Sequence, residues 1–310
     1  MAFKHILEFI VIAGLLGGMP GSLSYSTGVQ AQTANAVVSE TRDVSKELPK
    51  VEDRFAWPKL KDLGSLGIDV TSKSAIVTDV KNGKILFAKN PNDVRPIASI
   101  TKLMTALVVL ESGVNLDDNI EIVASDYAAG TGYVFEIGQT IKVHDVLLGT
   151  LVLSGNDAAR ALARSTGMLE EDFVEQMNER AQSLGMVSTK FMDPSGIDPE
   201  NVSTARELVT LVRTVSEREE IRDAAQTLSF GDKTGTNELL NSFLNKRPYE
   251  IVVGKTGSLP DTAGYCLVER INEADHGVIV VSLGSDNHFS RFSDVKALAN
   301  WALTRWVWNE

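Results

Sequence analysis

Apolar and polar residues follow one another in patterns that predict β-strands near both ends of the chain. Ser74–Val80 and Ile85–Ala88 are β-type runs, and the pair Asn82-Gly83 lies between them. An Asn-Gly pair between two such runs is the strongest short-range signal for a β-hairpin. Three more β-type runs lie towards the other end of the chain: Glu250–Val253, Gly264–Val268 and Gly277–Leu283.

The region between these runs, residues 115–229, has a mainly helical pattern. Its candidate helices are Val143–Val152, Asp157–Ser165, Glu170–Leu184 and a segment that contains Leu208–Val212. A last helix is predicted over Ser293–Trp308, where apolar residues recur along one face. The whole pattern predicts an α+β domain, in which the two ends of the chain build the sheet and a helical part is inserted between them.

A polar pair opens the helix that follows the hairpin. This helix is predicted to begin near Arg95-Pro96, and it is apolar almost all round over Ile100–Leu110, so it should be buried. Ser99 and Lys102 are three residues apart, and residues with that spacing share one face of a helix. The spacing therefore indicates a serine hydroxyl with its own base.

Lys102 accepts a proton only when its amine is neutral. With an ordinary pKa of about 10.4, neutralising a lysine at pH 7 costs roughly 4.6 kcal/mol. Burial and a second cation both lower the pKa of a lysine. A nucleophilic Ser99 therefore requires an apolar site and a basic neighbour, because the same spacing without them is common on solvated helices.

A second polar group, Ser154-Gly155-Asn156, follows the apolar run Leu151–Leu153 and separates two helical patterns. It has two interpretations. In the first, it is a turn whose Asn or Asp caps the next helix. In the second, the Ser154 hydroxyl relays a proton and the Asn156 amide holds a substrate amide, both in a cleft next to Ser99.

A third group, Lys255-Thr256-Gly257-Ser258, is predicted at the end of the strand that begins with Glu250–Val253. Lys255 is the candidate second cation, the Thr256 hydroxyl is a candidate ligand for a carboxylate, and Gly257 allows a substrate backbone to approach. Pleating places Thr256 on the face opposite Lys255 and Gly257. A shared substrate therefore requires a cleft at the strand edge.

Composition limits the possible functions. The 310 residues are 43% hydrophobic, and the net charge of -11 argues against a nucleic-acid or anionic-lipid partner. Cys266 is the single cysteine, so no internal disulfide forms, and we expect it to pack in the core. The histidines are scattered along the sequence, so no metal site is predicted, and no cofactor is expected.

The first 31 residues have the pattern of a secretory signal peptide. Lys4 precedes an apolar stretch from Ile6 to Met19, and Val29-Gln30-Ala31 has the small-residue spacing of a cleavage site. The alternative is a retained membrane anchor, but the stretch is shorter than the roughly 20 residues of a span and contains Glu8. We expect residues 1–31 to be a signal peptide removed on export, residues 32–54 a polar tether and residues 55–310 the folded domain, with no stable membrane anchor.

Three motifs occur in order along the chain: Ser-x-x-Lys at Ser99, Ser-x-Asn at Ser154 and Lys-Thr-Gly at Lys255. Because it carries these three motifs in this order, the chain resembles the penicillin-binding proteins and serine β-lactamases. The resemblance runs from about Ser74 to the end of the chain. The flanking segments agree: Arg95–Lys102, Ser154–Ala159, Phe191–Gly196 and Ala263–Val268. The last of these follows Lys255, whereas a competing Lys-Thr-Gly at Lys233-Thr234-Gly235 lies in a turn-rich context and is interpreted as a loop.

The resemblance implies an antiparallel five-stranded sheet flanked by helices, with a helical subdomain. It also implies that Ser99 attacks a D-alanyl carbonyl of a peptidoglycan peptide and forms an acyl-enzyme, with Lys102 as the base. Ser154 would relay the proton to the leaving amine, and Asn156 would hold the peptide.

The same resemblance assigns the substrate carboxylate to Lys255 and Thr256, with Lys255 also lowering the pKa of Lys102. The backbone N–H groups of Ser99 and Ser258 would form the oxyanion hole. β-Lactam antibiotics would act as substrate mimics that acylate Ser99. The expected partners are thus peptidoglycan peptides and covalent β-lactam inhibitors.

Within this superfamily the chain looks most like the D-alanyl-D-alanine endopeptidases of the Gram-negative periplasm, of peptidase family S11. Carboxypeptidase relatives usually add a β-rich domain and an amphipathic tail, and this sequence stops at Glu310 after one terminal helix. Carboxypeptidase activity is the alternative. A β-lactamase is less favoured because no Glu-x-x-Leu-Asn element lies between Asn156 and Lys255, and a β-lactam sensor because no signalling domain is visible.

Overall fold

The computed structural model describes residues 58–62, 67–127, 132–230, 237 and 249–308. The predicted signal peptide, the predicted tether and Lys233-Thr234-Gly235 lie outside the described residues, so the proposed division of the chain stays a prediction. Within the described ranges, no helix is long and apolar enough to cross a membrane.

The described residues contain the strands and helices that the sequence pattern predicts, together with short strands and a helix, Glu219–Gln226, that it does not. The strands are β1 (Lys59–Leu60), β2 (Ser74–Asp79), β3 (Ile85–Lys89), β4 (Arg95–Pro96), β5 (Asn119–Glu121), β6 (Thr140–Lys142), β7 (Val202–Ser203), β8 (Glu250–Leu259), β9 (Gly264–Glu273), β10 (His276–Ser285) and β11 (Trp306–Val307). The helices are α1 (Lys102–Glu111), α2 (Val143–Leu151), α3 (Asn156–Arg164), α4 (Glu170–Ser183), α5 (Ala205–Val215), α6 (Glu219–Gln226) and α7 (His288–Arg305).

Five strands form the central sheet in the order β3-β2-β10-β9-β8, and every neighbouring pair is antiparallel. The predicted hairpin supplies β2 and β3, and the three C-terminal runs supply the other strands. Strand β10 lies between β2 and β9, so the sheet is indeed built from both ends of the chain. The predicted α+β class with a five-stranded antiparallel sheet is confirmed.

The two faces of the sheet carry separate apolar clusters, because successive side chains of a strand point to opposite faces. Val77 and Val280 pack with the C-terminal helix α7 through Val295 and Leu298. Ile76 and Val281 face the helical part of the molecule. The residues of α1 from Lys102 to Val109 are all buried there, as the apolar pattern predicts. Helix α1 therefore anchors the polar pair at its start against the sheet.

Candidate active site

Ser99 and Lys102 meet in a tight turn at the start of α1. The sequence predicts one α-helix through both residues, but Ala98–Thr101 is a 3₁₀ turn and the α-helix begins at Lys102. Side chains at i and i+3 eclipse in a 3₁₀ helix, which favours the contact more than an α-helix does. Lys102 Nζ lies 2.9 Å from Ser99 Oγ.

The Lys102 amine is fully buried and has two further partners, both of which are acceptors. Its Nζ donates to Asn156 Oδ1 at 2.8 Å and to the Ser195 carbonyl oxygen at 2.5 Å. A neutral amine has two N–H groups and one lone pair. If both N–H groups of the neutral amine donate to these acceptors, its lone pair is left for the Ser99 hydroxyl at 2.9 Å, so the three contacts are compatible with a base.

The surroundings of Lys102 shift its pKa in the direction that the same role requires. Burial lowers the pKa of Lys102 well below its ordinary value, and the nearby Lys255 cation lowers it further. Asp193 and Asp157 act in the opposite direction and raise the pKa, but they do not outweigh burial and Lys255. The second cation that the sequence required is therefore in place.

Ser154 lies on the turn between α2 and α3 in a left-handed backbone conformation, with φ of 59°. L residues with side chains rarely adopt this conformation, and it directs the hydroxyl at the third motif. Lys255 Nζ donates to Ser154 Oγ at 2.8 Å. The N-cap of α3 is Gly155 without a side-chain cap, so the interpretation of this motif as a simple capping turn is wrong.

Strand β8 carries the third motif inside it rather than at its end, since the strand continues to Leu259. It is the last strand of the sheet, so the described chain gives it a neighbour on one edge only, β9. Thr256 is half-buried, whereas Lys255 and Gly257 on either side of it are buried. A Cβ on Gly257 would lie 2.6 Å from the Ile97 carbonyl oxygen, so glycine lets the strand approach the Ser99 turn.

Two contacts of the site were not predicted from the sequence. The Phe191–Gly196 segment matched the family, but nothing local indicated that the Ser195 carbonyl contacts Lys102, 93 residues earlier. Arg291 of α7 is buried and donates to the Gly257 carbonyl oxygen at 3.1 Å and to Ser258 Oγ at 2.6 Å. An arginine on a predicted helix is common, so the sequence gives no sign that Arg291 is part of the site. The packing of α7 on the sheet shows that the Arg291 side chain supports β8.

All eight predicted site residues lie in the described chain, and direct contacts join the three motifs. The family described as D-alanyl-D-alanine carboxypeptidase, peptidase S11, matches residues 61–287. The chain belongs to this family.

Relatives of this peptidase family include proteins with either activity. The chain is 36% identical over 252 residues to a D-alanyl-D-alanine endopeptidase of Pseudomonas aeruginosa. The aligned region covers 76% of this chain and 78% of that protein. The chain is also 31% identical over 251 residues to a D-alanyl-D-alanine carboxypeptidase of Escherichia coli. That aligned region covers 75% of this chain and 61% of that protein.

Solved structures show the same fold. A D-alanyl-D-alanine carboxypeptidase of Mycobacterium tuberculosis is similar with a TM-score of 0.70 at 26% identity, over 79% of this chain and 96% of that chain. Penicillin-binding protein D2 of Listeria monocytogenes, in its ampicillin-bound form, is similar with a TM-score of 0.67 at 28% identity, over 77% of this chain and all of that chain.

Proposed function

We propose that the protein is a serine DD-peptidase that cleaves D-alanyl bonds of peptidoglycan stem peptides. The observation that carries the proposal is the buried Lys102 amine, which lies 2.9 Å from Ser99 Oγ and is held by two further acceptors. In the first step Ser99 Oγ attacks the D-alanyl carbonyl carbon while its proton passes to Lys102. The negative charge on the carbonyl oxygen is stabilised by the backbone N–H groups of Ser99 and Ser258.

Collapse of the tetrahedral intermediate breaks the C–N bond and leaves an ester on Ser99. The departing amine takes the proton, which reaches it from Lys102 through the Ser154 hydroxyl. Water then attacks the ester, the acyl group leaves as a carboxylic acid, and Ser99 recovers its proton. Ser154 suits the relay because its Oγ accepts from Lys255 Nζ at 2.8 Å, while Asn156, two residues further on, accepts from Lys102 Nζ at 2.8 Å, so this turn contacts both lysines.

We assign the carboxylate of the leaving residue to the Lys255–Ser258 motif on β8. Lys255 and the Thr256 hydroxyl supply a charge and a donor there, and Ser258 is exposed for a further contact. Arg291 adds a second cation directly behind Ser258 Oγ. A peptide or a β-lactam with a carboxylate next to its reacting amide fits this arrangement, which supports covalent inhibition by β-lactams.

Labelling with a fluorescent penicillin tests the nucleophile. We expect the unchanged protein to be labelled in a band that survives denaturing gel electrophoresis, and Ser99→Ala to give no band. Ser188→Ala, which changes an exposed serine outside the motifs, is the matched control and should be labelled fully. Equal labelling of Ser99→Ala would refute the proposed nucleophile.

Within this activity we propose cleavage of cross-links, that is, an endopeptidase. The higher identity to the Pseudomonas endopeptidase and the larger share of that protein's length support this choice over a carboxypeptidase. Purified protein should convert cross-linked muropeptide dimers into monomers. Release of terminal D-alanine from pentapeptide monomers with the dimers left intact would reverse the choice.

We also propose that the enzyme acts in the periplasm after removal of residues 1–31. Support comes from the charged start, the apolar stretch and the small residues at Val29 and Ala31. N-terminal sequencing of protein recovered from the periplasm should give Gln32 as the first residue. Recovery of an uncleaved chain in the membrane fraction would contradict it.

A further inference from the structure

Asp193 is a buried carboxylate close to the base, and the proposed mechanism does not use it. Its Oδ1 accepts from the Ser195 N–H at 2.6 Å, the Ser195 hydroxyl at 2.5 Å and the Gly196 N–H at 2.8 Å. Its Oδ2 accepts from the Asp198 N–H at 2.8 Å and from Asn201 Nδ2 at 2.7 Å. One side chain thus satisfies donors along the whole loop from residue 195 to residue 201.

This loop carries the carbonyl group that orients Lys102. The Ser195 oxygen accepts from Lys102 Nζ at 2.5 Å, and the next residue, Gly196, is packed against the turn that holds Ser99. A Cβ on Gly196 would lie 2.1 Å from the Ala98 carbonyl oxygen. A small movement of the loop would therefore move both the acceptor of Lys102 and the support of the Ser99 turn.

We propose that Asp193 is a positioning residue that fixes the Ser195 carbonyl and thereby aims the Lys102 lone pair at Ser99. The inference rests on the proposed function, since it concerns the base of that reaction. Asp193 touches neither the nucleophile nor the region where substrate binds. Its contribution is made through the loop and through its charge.

The charge of Asp193 acts on Lys102 in a defined direction. Burial by itself would raise the pKa of Asp193, but the hydrogen bonds from Ser195, Asp198 and Asn201 outweigh burial, and the pKa lies below its ordinary value. Asp193 is therefore ionised at neutral pH. The charged groups that act on Lys102 are Lys255 from β8, Asp157 from α3 and Asp193 from the loop, and both carboxylates raise its pKa.

The substitution Asp193→Asn separates positioning from simple loss of structure. The amide keeps one oxygen for the Ser195 and Gly196 donors, but its NH₂ group faces two donors, the Asp198 N–H and Asn201 Nδ2. We expect the acylation rate constant for a fluorescent penicillin to fall about 10- to 100-fold at its pH plateau, because a small misplacement of a base has an effect of that size. Because a negative charge is removed, the acidic limb of the pH profile should move to lower pH.

The matched control is Asp198→Asn, which makes the same charge change in the same loop. The Asp198 carboxylate accepts from the Glu200 N–H and does not contact Ser195. Its acylation rate and acidic limb should equal those of the unchanged protein. If Asp193→Asn acylates more slowly but its acidic limb stays at the same pH, Asp193 has a structural role alone and the proposal is overturned. An unchanged acylation rate in Asp193→Asn would also overturn the proposal.

A second variant keeps the proposal testable if Asp193→Asn fails to fold. Ser195→Ala removes the hydroxyl donor at 2.5 Å but keeps the backbone carbonyl and the charge of Asp193. It should slow acylation without moving the acidic limb to lower pH, and an unchanged rate would contradict the proposal. Failure of the proposed function is distinguishable, because the unchanged protein would then not be labelled at all.

Discussion

At the scale of single residues, the candidate site is organised around one buried lysine, Lys102, whose pKa is lowered by burial and by Lys255. The sequence shows the spacing of Ser99 and Lys102 and the apolar helix behind them, so burial of the amine was predictable. It does not show the two acceptors, Asn156 Oδ1 and the Ser195 carbonyl, which come from segments far along the chain. Local patterns predicted the contact between Ser99 and Lys102, whereas the other contacts of Lys102 depend on long-range packing.

The charge of Lys255 gives a prediction with a definite sign. This cation lowers the pKa of Lys102, after burial, so its removal in Lys255→Gln raises that pKa. Lys102 is then neutral only at higher pH, and the acidic limb of the acylation profile moves to higher pH. The measurement is the second-order rate constant for acylation by a fluorescent penicillin as a function of pH. The pH at which this rate constant falls gives the position of the acidic limb. That position is independent of the plateau value, which we expect to be lower because the Ser154 contact is lost.

The control is Lys142→Gln, which removes the same charge from an exposed ion pair with Asp117. Its acidic limb should coincide with that of the unchanged protein. A limb for Lys255→Gln that stays in place, or moves to lower pH, would mean that Lys255 does not act on Lys102.

At the scale of elements, the long helices and the five strands of the central sheet were predicted, whereas the two- and three-residue strands, helix α6 and several element ends were not. Periodicity located α2, α3 and α4 within one or two residues, because long amphipathic segments give a strong signal. The 3₁₀ turn at Ala98–Thr101 and the extension of β8 to Leu259 were missed. Both depend on tertiary contacts, since the turn is packed against Gly196 and Gly257.

The contact between Gly196 and the Ser99 turn can be tested by comparing two glycines. Gly196 and Gly113 both have a left-handed backbone, with φ of +82° and +80°, but a Cβ on Gly113 would meet nothing within 4 Å. Each alanine substitution costs about 1–2 kcal/mol for the backbone conformation. Gly196→Ala should cost about 1–3 kcal/mol more because of the clash with Ala98.

Urea unfolding of both variants measures this difference, and penicillin acylation measures its effect on the site. We expect Gly113→Ala to acylate at the parental rate and Gly196→Ala to acylate slowly. Equal losses of stability in the two variants would show that the loop yields to the added methyl group.

At the scale of the whole molecule, the neutral lysine links stability to pH. The unfolded chain binds a proton on Lys102 up to a pH of about 10.4, whereas the folded chain releases it at its lowered pKa. Between these two values the unfolded state holds more protons, so this group makes the free energy of unfolding rise with pH. Below the lowered pKa both states are protonated, and the dependence ends.

Substitution Lys102→Met removes this linkage together with the activity. We expect the free energy of unfolding of the unchanged protein, measured relative to Lys102→Met, to increase with pH by up to about 1.4 kcal/mol per unit within that window. Urea titrations at several pH values between neutrality and pH 10 give the slope. Parallel curves for the two proteins would show that Lys102 is protonated in the folded state.

The order of strands in the sheet also determines when the enzyme becomes active during folding. Asp79 of β2 pairs with Val278 of β10, so the sheet closes only after nearly the whole domain has been made. Contacts between such distant residues form slowly, because a long loop must be ordered first. The Ser99 turn is made early, but β8 and its Lys255 are attached through β9 and β10. A chain that has not yet added β8 to the sheet therefore lacks the Lys255 of its site, and acylation by a penicillin reports that folding is complete.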